Sequence, residues 1–238
     1  MIIIISLMLL FIFGLMFFGL DLLKEKFAEL RFEKASINSY ITNCLKNTAE
    51  EALILLGKQG GYINPEQFIE TEKYKVSYLY NEANNSVPEE QQVETQLSAY
   101  IENNILICLN NFEDIKKQGW KVEYKNPKTT TQINIQDVSF TTDFVVDVRK
   151  REALINLNQF THTADVRLSY ILDIANETVN FHLENPEWTD LTALSKHDVE
   201  ITIFPYQKNL MYSIKDEKSR LSSKPYLFNF VMNFPSSS

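Results

Sequence analysis

The chain has 238 residues, of which 45% are hydrophobic and 23% charged, and its formal net charge is −8. This length allows one or two ordinary domains with a substantial core, and the 16 Phe and 11 Tyr exclude intrinsic disorder. The net acidity argues against nucleic acid as a partner, because nucleic-acid binding needs a concentrated positive surface.

The first 20 residues form an apolar run without a charged side chain. About 20 helical residues cover the hydrocarbon core of a bilayer. No Lys or Arg precedes the run and bulky side chains occupy its end. The pattern therefore favours an uncleaved membrane anchor or a filament-core helix over a cleaved signal peptide or a buried helix of a soluble domain. The residues predicted to contact lipid or identical helices are Ile2, Ile5, Leu9, Phe13, Phe17 and Leu20.

The flanking charges leave the direction of this anchor open. Lys24, Lys26, Arg31 and Lys34 follow the apolar run, and by the positive-inside rule they favour a domain in the cytoplasm. We consider the hypothesis that a basic leader once preceded Met1, because such a leader would reverse the bias. A genomic start codon at Met1 with nothing upstream would contradict that hypothesis.

A single long helix is predicted from the apolar run to about residue 57. After residue 20, apolar side chains recur at spacings of three and four, so residues 21–57 are predicted to extend the helix in amphipathic form. No proline occurs before Pro65, and Gly57 offers a C-terminal stop. Gly57, Gly60 and Gly61 are predicted to form the turn after the helix, since they lack the Gly-Lys-Ser/Thr of a phosphate loop.

A second amphipathic helix is predicted at about residues 87–112. Ser86-Val87-Pro88-Glu89 has the spacing of a capping box, and apolar residues at helical spacing follow it. Between the two helices, the alternation from Lys75 to Tyr80 predicts a short strand.

The two cysteines, Cys44 and Cys108, lie on the apolar faces of these helices. Metal binding needs more ligands at closer spacing. Two interpretations remain open: a pair of buried free thiols, or a disulfide between the helices. An extracytoplasmic domain would oxidise such a pair if the thiols were adjacent.

From Trp120 onward the apolar period changes to two, which predicts β-strands over about residues 120–234. A short helix is predicted over residues 188–195. No strand-helix-strand rhythm is visible, so the sheet is predicted to be mainly antiparallel. The predicted class is α+β, with a long N-terminal helix, a second helix and then a sheet, in which residues 58–238 form an extracytoplasmic domain. The strand segments with the clearest alternation are 120–124, 166–174, 179–183, 199–203 and 226–230.

Several short motifs along most of the chain resemble a group of uncharacterised, membrane-anchored extracytoplasmic proteins of small-genome archaea of the DPANN type. The resemblance implies an exported domain behind one N-terminal anchor, and it transfers no catalytic residue. Members of the group often carry a basic, Gln-containing leader, whereas this chain begins inside the apolar run. The motifs are Tyr40-Ile41-x-x-Cys44-Leu45, Gly57-x-Gln59-Gly60-Gly61-Tyr62, Tyr100-Ile101 with Cys108-Leu109, Gln118-Gly119 and Lys224-Pro225-Tyr226-x-Phe228-x-Phe230.

The architecture also resembles type IV pilins, in which a long apolar-then-amphipathic helix precedes an antiparallel sheet. In pilins the apolar segments anchor the subunits in the membrane and then pack as the filament core. Ile5 stands where pilins carry Glu, so the resemblance implies helix-core assembly without pilin-type registration.

The polar residues that could support chemistry favour no enzyme class. His162, His182 and His197 lack zinc-type spacing, and His182 is predicted to face solvent from a strand. His197-Asp198 is predicted to be a polar pair in a turn. No nucleophile elbow, metalloprotease helix or dinucleotide fingerprint is present in the sequence.

Two further clusters are interpreted structurally. Asp143 and Asp147 are predicted to be like charges on the solvated face of a strand, although paired carboxylates can serve acid–base chemistry. The aromatic residues near the C-terminus are predicted to pack in the core or between subunits. They are Tyr226, Phe228, Phe230 and Phe234.

The sequence thus predicts a non-catalytic, membrane-anchored cell-surface protein with a structural or adhesive domain and no cofactor. The alternative is a pilin-like filament subunit. The predicted partners, through residues 1–20, are a lipid bilayer or identical subunits.

Overall fold

A computed structural model of the chain describes the backbone of residues 2–81, 84–185 and 188–233, and the side chains of these ranges from residue 30 onward. The helices are α1 (Ile2–Lys58), α2 (Glu90–Cys108), α3 (Glu113–Lys116), α4 (Leu168–Glu184) and α5 (Leu191–Leu194). The first strands are β1 (Phe68–Glu70), β2 (Lys75–Asn81), β3 (Asn84–Asn85), β4 (Lys121–Tyr124) and β5 (Lys128–Ile133). The remaining strands are β6 (Val138–Lys150), β7 (Ala153–Ala164), β8 (Glu200–Tyr206), β9 (Asn209–Leu221) and β10 (Lys224–Asn233).

The strands form two sheets, and the predicted α+β class with a long N-terminal helix and mainly antiparallel sheets is confirmed. The larger sheet has the order β1-β2-β10-β9-β8, with β3 added to β2. Only the pair β2–β10 is parallel among the described strand pairs. In the smaller sheet, the short strands β5 and β4 pair with successive parts of one edge of the long strand β6. Strand β7 pairs with the other edge of β6.

Helix α1 is the element that joins the two sheets, because it contacts β7 of the smaller sheet and β10 of the larger one. Its buried side chains recur at spacings of three and four, so one continuous stripe of the helix faces the core. Helix α2 packs beside α1 and against β5. The buried side chains of α1 are Ile37, Ile41, Cys44, Leu45, Thr48, Ala49, Ala52, Leu53 and Leu56.

The second helix is shorter than predicted and begins differently. Glu89 is its N-cap residue, and no side chain accepts a capping hydrogen bond there. The Ser86 N–H instead donates to Leu79 O at 2.9 Å, which fixes Ser86 beside β2. The capping-box prediction is therefore wrong. After Cys108 the chain continues through a single 3-10 turn, Asn110–Phe112, into α3.

The segments 166–174 and 179–183 were predicted as strands, but helix α4 spans Leu168–Glu184, so this prediction is wrong. The apolar residues permit both readings, since Leu168, Leu172 and Ile174 alternate while Leu168, Ile171, Leu172 and Ala175 have helical spacing. Ile171 and Ala175 are buried as well as Leu172 and Ile174, which the single buried face of a strand would not allow. All five residues of the set Leu168, Ile171, Leu172, Ala175 and Val179 are at most 4% exposed, as expected for one face of a helix.

The glycines after α1 have two different roles. Gly60 and Gly61 form the predicted turn with φ of 74° and 90°, and the Gly61 N–H donates to Leu56 O at 2.9 Å. Gly57 lies inside the last helical turn and not after it. A Cβ on Gly57 would lie 2.6 Å from Tyr226 Oη and closer still to Leu227 O, so its role is to let α1 approach β10.

Replacing Gly57 by alanine is expected to lower the free energy of unfolding by about 1–3 kcal/mol, although alanine is the better helix former. The added methyl group would collide with the backbone of β10, which cannot rotate away. Chemical denaturation of the full chain in detergent tests this. Lys46→Ala, on the exposed side of the same helix, is the control and should leave stability nearly unchanged; equal effects of the two variants would contradict the close approach.

Candidate functional site

The two cysteines come together between α1 and α2, as the disulfide interpretation predicted. The Cys44 and Cys108 Sγ atoms are 2.12 Å apart and their Cα atoms are 5.6 Å apart, so the pair has the geometry of a disulfide. The Tyr40 hydroxyl donates to Leu109 O at 3.0 Å and forms a second link between the same segments. The disulfide and this hydrogen bond thus link α1 to the end of α2 at two points, which are about one helical turn apart on α1.

The turn after α1 is organised by the buried side chain of Gln59, which is 6% exposed. Its Nε2 donates to Tyr62 O at 3.1 Å and to Ile63 O at 2.7 Å, while its Oε1 accepts from the Lys75 N–H at 3.3 Å. One side chain therefore satisfies three backbone groups around the turn. Gly60 and Gly61 lie in this turn, as predicted, whereas Gly57 lies in the helix.

The predicted contact residues of the N-terminal segment lie outside the residues whose side chains are described. They are Ile2, Ile5, Leu9, Phe13, Phe17 and Leu20. In the part of the chain that the structure describes, no helix is long and apolar enough to cross a membrane.

The three histidines occupy separate places in the fold. His182 is 2% exposed within α4, and its Nε2 lies 3.0 Å from Tyr212 Oη, so the prediction that it faces solvent from a strand is wrong. Burial lowers the pKa of His182. His162 is half-buried in β7 with its ring stacked on Phe140, and burial lowers its pKa as well.

The side chains of His197 and Asp198 form ion pairs with different residues, and both lie in the bend before β8, in agreement with the predicted polar pair. His197 Nε2 lies 3.2 Å from Glu177 Oε2 and its Nδ1 lies 3.4 Å from Tyr170 Oη. Asp198 instead forms ion pairs with Arg167 and Lys218. No group of three or more His, Cys, Asp and Glu residues among those described is placed to hold a metal ion.

Asp143 and Asp147 do not act as a carboxylate pair. Gln159 Nε2 donates to Asp143 Oδ1 at 2.9 Å, and Asn156 Nδ2 donates to Asp147 Oδ1 at 2.5 Å. The strand register shifts between the two positions, so each carboxylate is bound separately by the neighbouring strand β7.

The aromatic residues of β10 are core residues, in agreement with one of the two predicted roles. Tyr226, Phe228 and Phe230 are at most 2% exposed, and the Phe230 ring stacks on Tyr212 with centroids 5.0 Å apart. The Tyr226 hydroxyl donates to Leu53 O in α1 at 3.0 Å. Phe234 lies outside the described residues.

A buried ion pair links the start of α4 to β9, and it was not predicted from the sequence. Asp216 is fully buried and accepts from Arg167 Nη2 at 2.6 Å and from Nε at 3.0 Å. Ser219 Oγ and the Lys218 N–H also donate to this carboxylate, at 2.5 Å and 3.1 Å. Every acceptor position of Asp216 is used within the protein. The pair is therefore a structural link, and no local signal could identify it because its members are 49 residues apart.

A groove of about 470 Å³ lies between the end of α1 and the β9–β10 hairpin. Its walls are mainly apolar and carry the polar residue Ser222 and three cations, Lys58, Lys215 and Lys224. Lys215 forms ion pairs with Glu200 and Glu217 at 3.1 Å and 2.8 Å. Lys58 Nζ donates to Tyr74 Oη at 2.8 Å. Two of the three cations are therefore engaged, and the groove presents no assembled anion site.

The described residues thus form a fold held by a disulfide, a glutamine-centred turn and a buried ion pair. Comparison with protein-family models, curated proteins and solved structures finds no match for this chain.

Proposed function

We propose that this chain is a non-catalytic cell-surface protein, anchored through residues 1–20, whose extracytoplasmic domain serves structure or adhesion. The observation that carries the proposal is the unbroken course of α1 from Ile2 to Lys58. A helix of that length is about 85 Å long. Its first part has the composition of a membrane segment, and its last part is the central element of the domain core.

This continuity has a mechanical consequence for an anchored protein. The domain is joined to the apolar segment by helix and not by a flexible linker, so its distance and orientation relative to the anchor are constrained. The disulfide fastens α2 to the same helix at Cys44. A rigid connection of this kind suits a surface protein whose domain must keep a fixed orientation relative to the membrane.

The cysteine pair supports an extracytoplasmic location for the domain. Disulfides persist in oxidising compartments and are rare in the cytosol. This argument is independent of the charges around the apolar run, which favour the opposite orientation. The resemblance to anchored archaeal surface proteins supports the same location.

The proposal is tested by the topology of the native chain in cells. Intact cells are treated with a membrane-impermeant protease, and the membrane fraction is then washed with alkaline carbonate. We expect the chain to stay in the washed membranes and its domain to be cleaved from outside, with both cysteines resistant to alkylation before reduction. A domain that is protected in intact cells, or thiols that alkylate without reduction, would contradict the extracytoplasmic location.

A pilin-like filament subunit is the second candidate, and one observation on α1 favours it. Phe32 is 76% exposed on this helix, in the stretch that leads from the apolar run into the domain. A large aromatic side chain exposed on a subunit is an apolar contact available to a neighbouring copy, and in a helical filament core such contacts repeat between α1 helices.

Cross-linking separates the two candidates. A Phe32→Cys variant carries one free thiol, because the native cysteines are paired. Assembly predicts ladders of cross-linked oligomers with a short thiol-reactive linker and ordered polymers in electron micrographs of the cell surface. Detergent-soluble monomers without cross-links favour the simple anchor. An exposed Ile107→Cys variant on α2 is the matched control for random collision.

A further inference from the structure

The end of the domain at which α1 enters carries a cluster of basic side chains, called the basic end below. It combines α3 and the residues after it, as far as Lys121, with the hairpin that joins β6 and β7. Three acids, Glu113, Asp114 and Glu152, lie in the same segments, so the cluster is net positive on a chain of net charge −8. The cations of the basic end are Lys116, Lys117, Lys121, Arg149, Lys150 and Arg151.

Strand pairing brings the two segments together. Lys121 lies directly opposite Arg149 in the β4–β6 ladder, which places like charges side by side. Lys150 Nζ lies 5.2 Å from the ring centroid of Trp120, whose side chain is buried. Arg151 occupies the hairpin turn with a φ of 54°. The fold thus concentrates charges that are distant in sequence on one surface.

Few of these charges are neutralised within the protein. Lys116 and Lys117 form exposed ion pairs with Glu113 and Asp114 at 3.0 Å and 3.6 Å. Within the described residues, Lys121, Arg149 and Arg151 have no ion pair, and all three are exposed. Leu154, which pairs with Arg149 across the hairpin, is 46% exposed and adds an apolar side chain to this surface.

The basic end lies at the anchor side of the domain. Gln118 and Trp120 line a cleft together with Ser36 and Ile37 of α1, and Leu30 is partly buried against the core. The helical rise places Leu30 about 15 Å, and Ile37 about 25 Å, beyond residue 20 along the helix axis. The polar headgroup layer and one Debye length together extend roughly 15 Å from the hydrocarbon, and an ordinary helix tilt shortens the gap.

We propose that the basic end is a docking surface for anionic lipid headgroups, and that it holds the domain against the bilayer in which residues 1–20 are anchored. This inference rests on the proposed function for the anchor itself. Charge complementarity and the position of the cluster at the membrane side of α1 identify the occupant. Clusters of Lys and Arg next to a membrane segment bind anionic lipid surfaces through their summed charge.

The test measures how close the basic end lies to lipid headgroups in the full-length chain. A nitroxide is attached to a Glu152→Cys variant, in which the native cysteines remain paired. The protein is reconstituted into phosphatidylcholine vesicles with or without phosphatidylglycerol, each containing a nickel-chelating headgroup lipid. We expect relaxation of the nitroxide by nickel to be about threefold faster with phosphatidylglycerol and to return to the neutral-vesicle value at about 0.5 M salt.

Two charge-reversal variants make the result specific. Lys121→Glu, Arg149→Glu and Arg151→Glu together should abolish the effect of phosphatidylglycerol. The same number of reversals at the opposite end of α1 should leave it unchanged. For that control we choose exposed residues of the β1–β2 hairpin, where the Lys75 N–H binds Gln59, and of the β8–β9 hairpin, where Tyr206 Oη donates to Glu70 O. They are Lys73, Lys75 and Lys208.

The outcomes of the experiment distinguish a failure of the proposed anchor from a failure of the proposed docking surface. Flotation with neutral vesicles reports the anchor alone. If the chain floats but nickel relaxation does not respond to phosphatidylglycerol, or if the nitroxide couples to a label on a second copy instead, the docking surface is wrong and the anchor stands. If the chain does not float with neutral vesicles, the anchor is wrong. In that case the docking surface is still supported if the chain binds phosphatidylglycerol vesicles and only the basic-end reversals abolish this binding. If the chain does not bind these vesicles, the docking surface is overturned.

Discussion

Replacing Cys44 and Cys108 together by alanine is expected to lower the free energy of unfolding by about 4 kcal/mol. The disulfide closes a loop that spans a sequence separation of 64 residues, and the unfolded chain gains the conformational freedom of that loop when the bond is absent. For a chain of this size the loss corresponds to a fall in Tm of roughly 10 °C. Thermal unfolding of the full chain in detergent, followed by circular dichroism, measures it.

The other contacts between α1 and α2 would offset little of the stability lost with the disulfide. Cys44 is 5% exposed and lies between Ile41 and Leu45, which are fully buried, so the site is part of the core that α1 forms with α2. The Tyr40–Leu109 hydrogen bond remains after the substitution, but one such bond is worth only about 1 kcal/mol. The loss should therefore appear as lower stability of the whole domain.

Reduction provides the internal control for this prediction. A reducing agent should lower the Tm of the wild-type chain to nearly that of the double alanine variant and should not change the variant further. Mass spectrometry under non-reducing conditions verifies the state of the thiols. A stability change below about 1 kcal/mol, with full reduction demonstrated, would show that the pair contributes no constraint.

Helix α1 was predictable because its information is local. Its apolar residues continue at spacings of three and four through Leu56, and no proline interrupts them. The sequence could not decide between a disulfide and two free thiols, for a different reason. Helical periodicity placed Cys44 and Cys108 on apolar faces, but only the packing of α1 on α2 determines that the two faces meet.

Helix α4 was mispredicted because its apolar residues fit two periods at once. Alternation through Leu168, Leu172 and Ile174 predicts a strand, and the spacing of Leu168, Ile171 and Ala175 predicts a helix. Arg167 precedes the helix without a side-chain cap, so the usual start signal is missing. Packing against β2 and β3 decides the outcome, and that contact is not visible in the sequence.

The basic end was missed because overall acidity concealed a local excess of cations. Arg149-Lys150-Arg151 is a visible basic run, but it gains its position only when β6 pairs with β4. A count of charges by segment would have identified the run. It would not have placed the run beside Lys121 or at the entry of α1.

Replacing Asp216 by alanine is expected to lower the free energy of unfolding by about 3–5 kcal/mol. Asp216 is fully buried and the side chain of Arg167 is 13% exposed, so loss of the carboxylate leaves a largely buried guanidinium without its partner. Ser219 Oγ loses its acceptor at the same time. Chemical denaturation of the full chain measures the effect. The exposed pair Arg220–Glu217 is the matched control, and Glu217→Ala should change stability very little.

The same pair predicts how stability depends on pH. Burial raises the pKa of Asp216, but the hydrogen bonds from Arg167 and Ser219 outweigh burial and hold this pKa below its ordinary range. A carboxylate whose pKa is lower in the folded state stabilises the fold above its unfolded pKa, near 3.9, and the contribution is lost as pH falls through the folded value. Wild-type stability should therefore fall more steeply below about pH 4 than that of an Asp216→Asn variant.

A double substitution shows whether Asp216→Ala is destabilising because the attraction between Arg167 and Asp216 is lost or because the Arg167 charge is left unpaired. Arg167→Met with Asp216→Leu removes both charges and keeps apolar volume at the junction of α4 and β9. Buried ion pairs replaced in this way are often neutral or stabilising, so the double variant should be more stable than Asp216→Ala alone. Because Arg167 also reaches Asp198 O at 3.2 Å, some loss relative to the wild type should remain. If the double variant is less stable than the single one, the pair itself, and not the avoidance of a lone buried charge, holds α4 to the larger sheet.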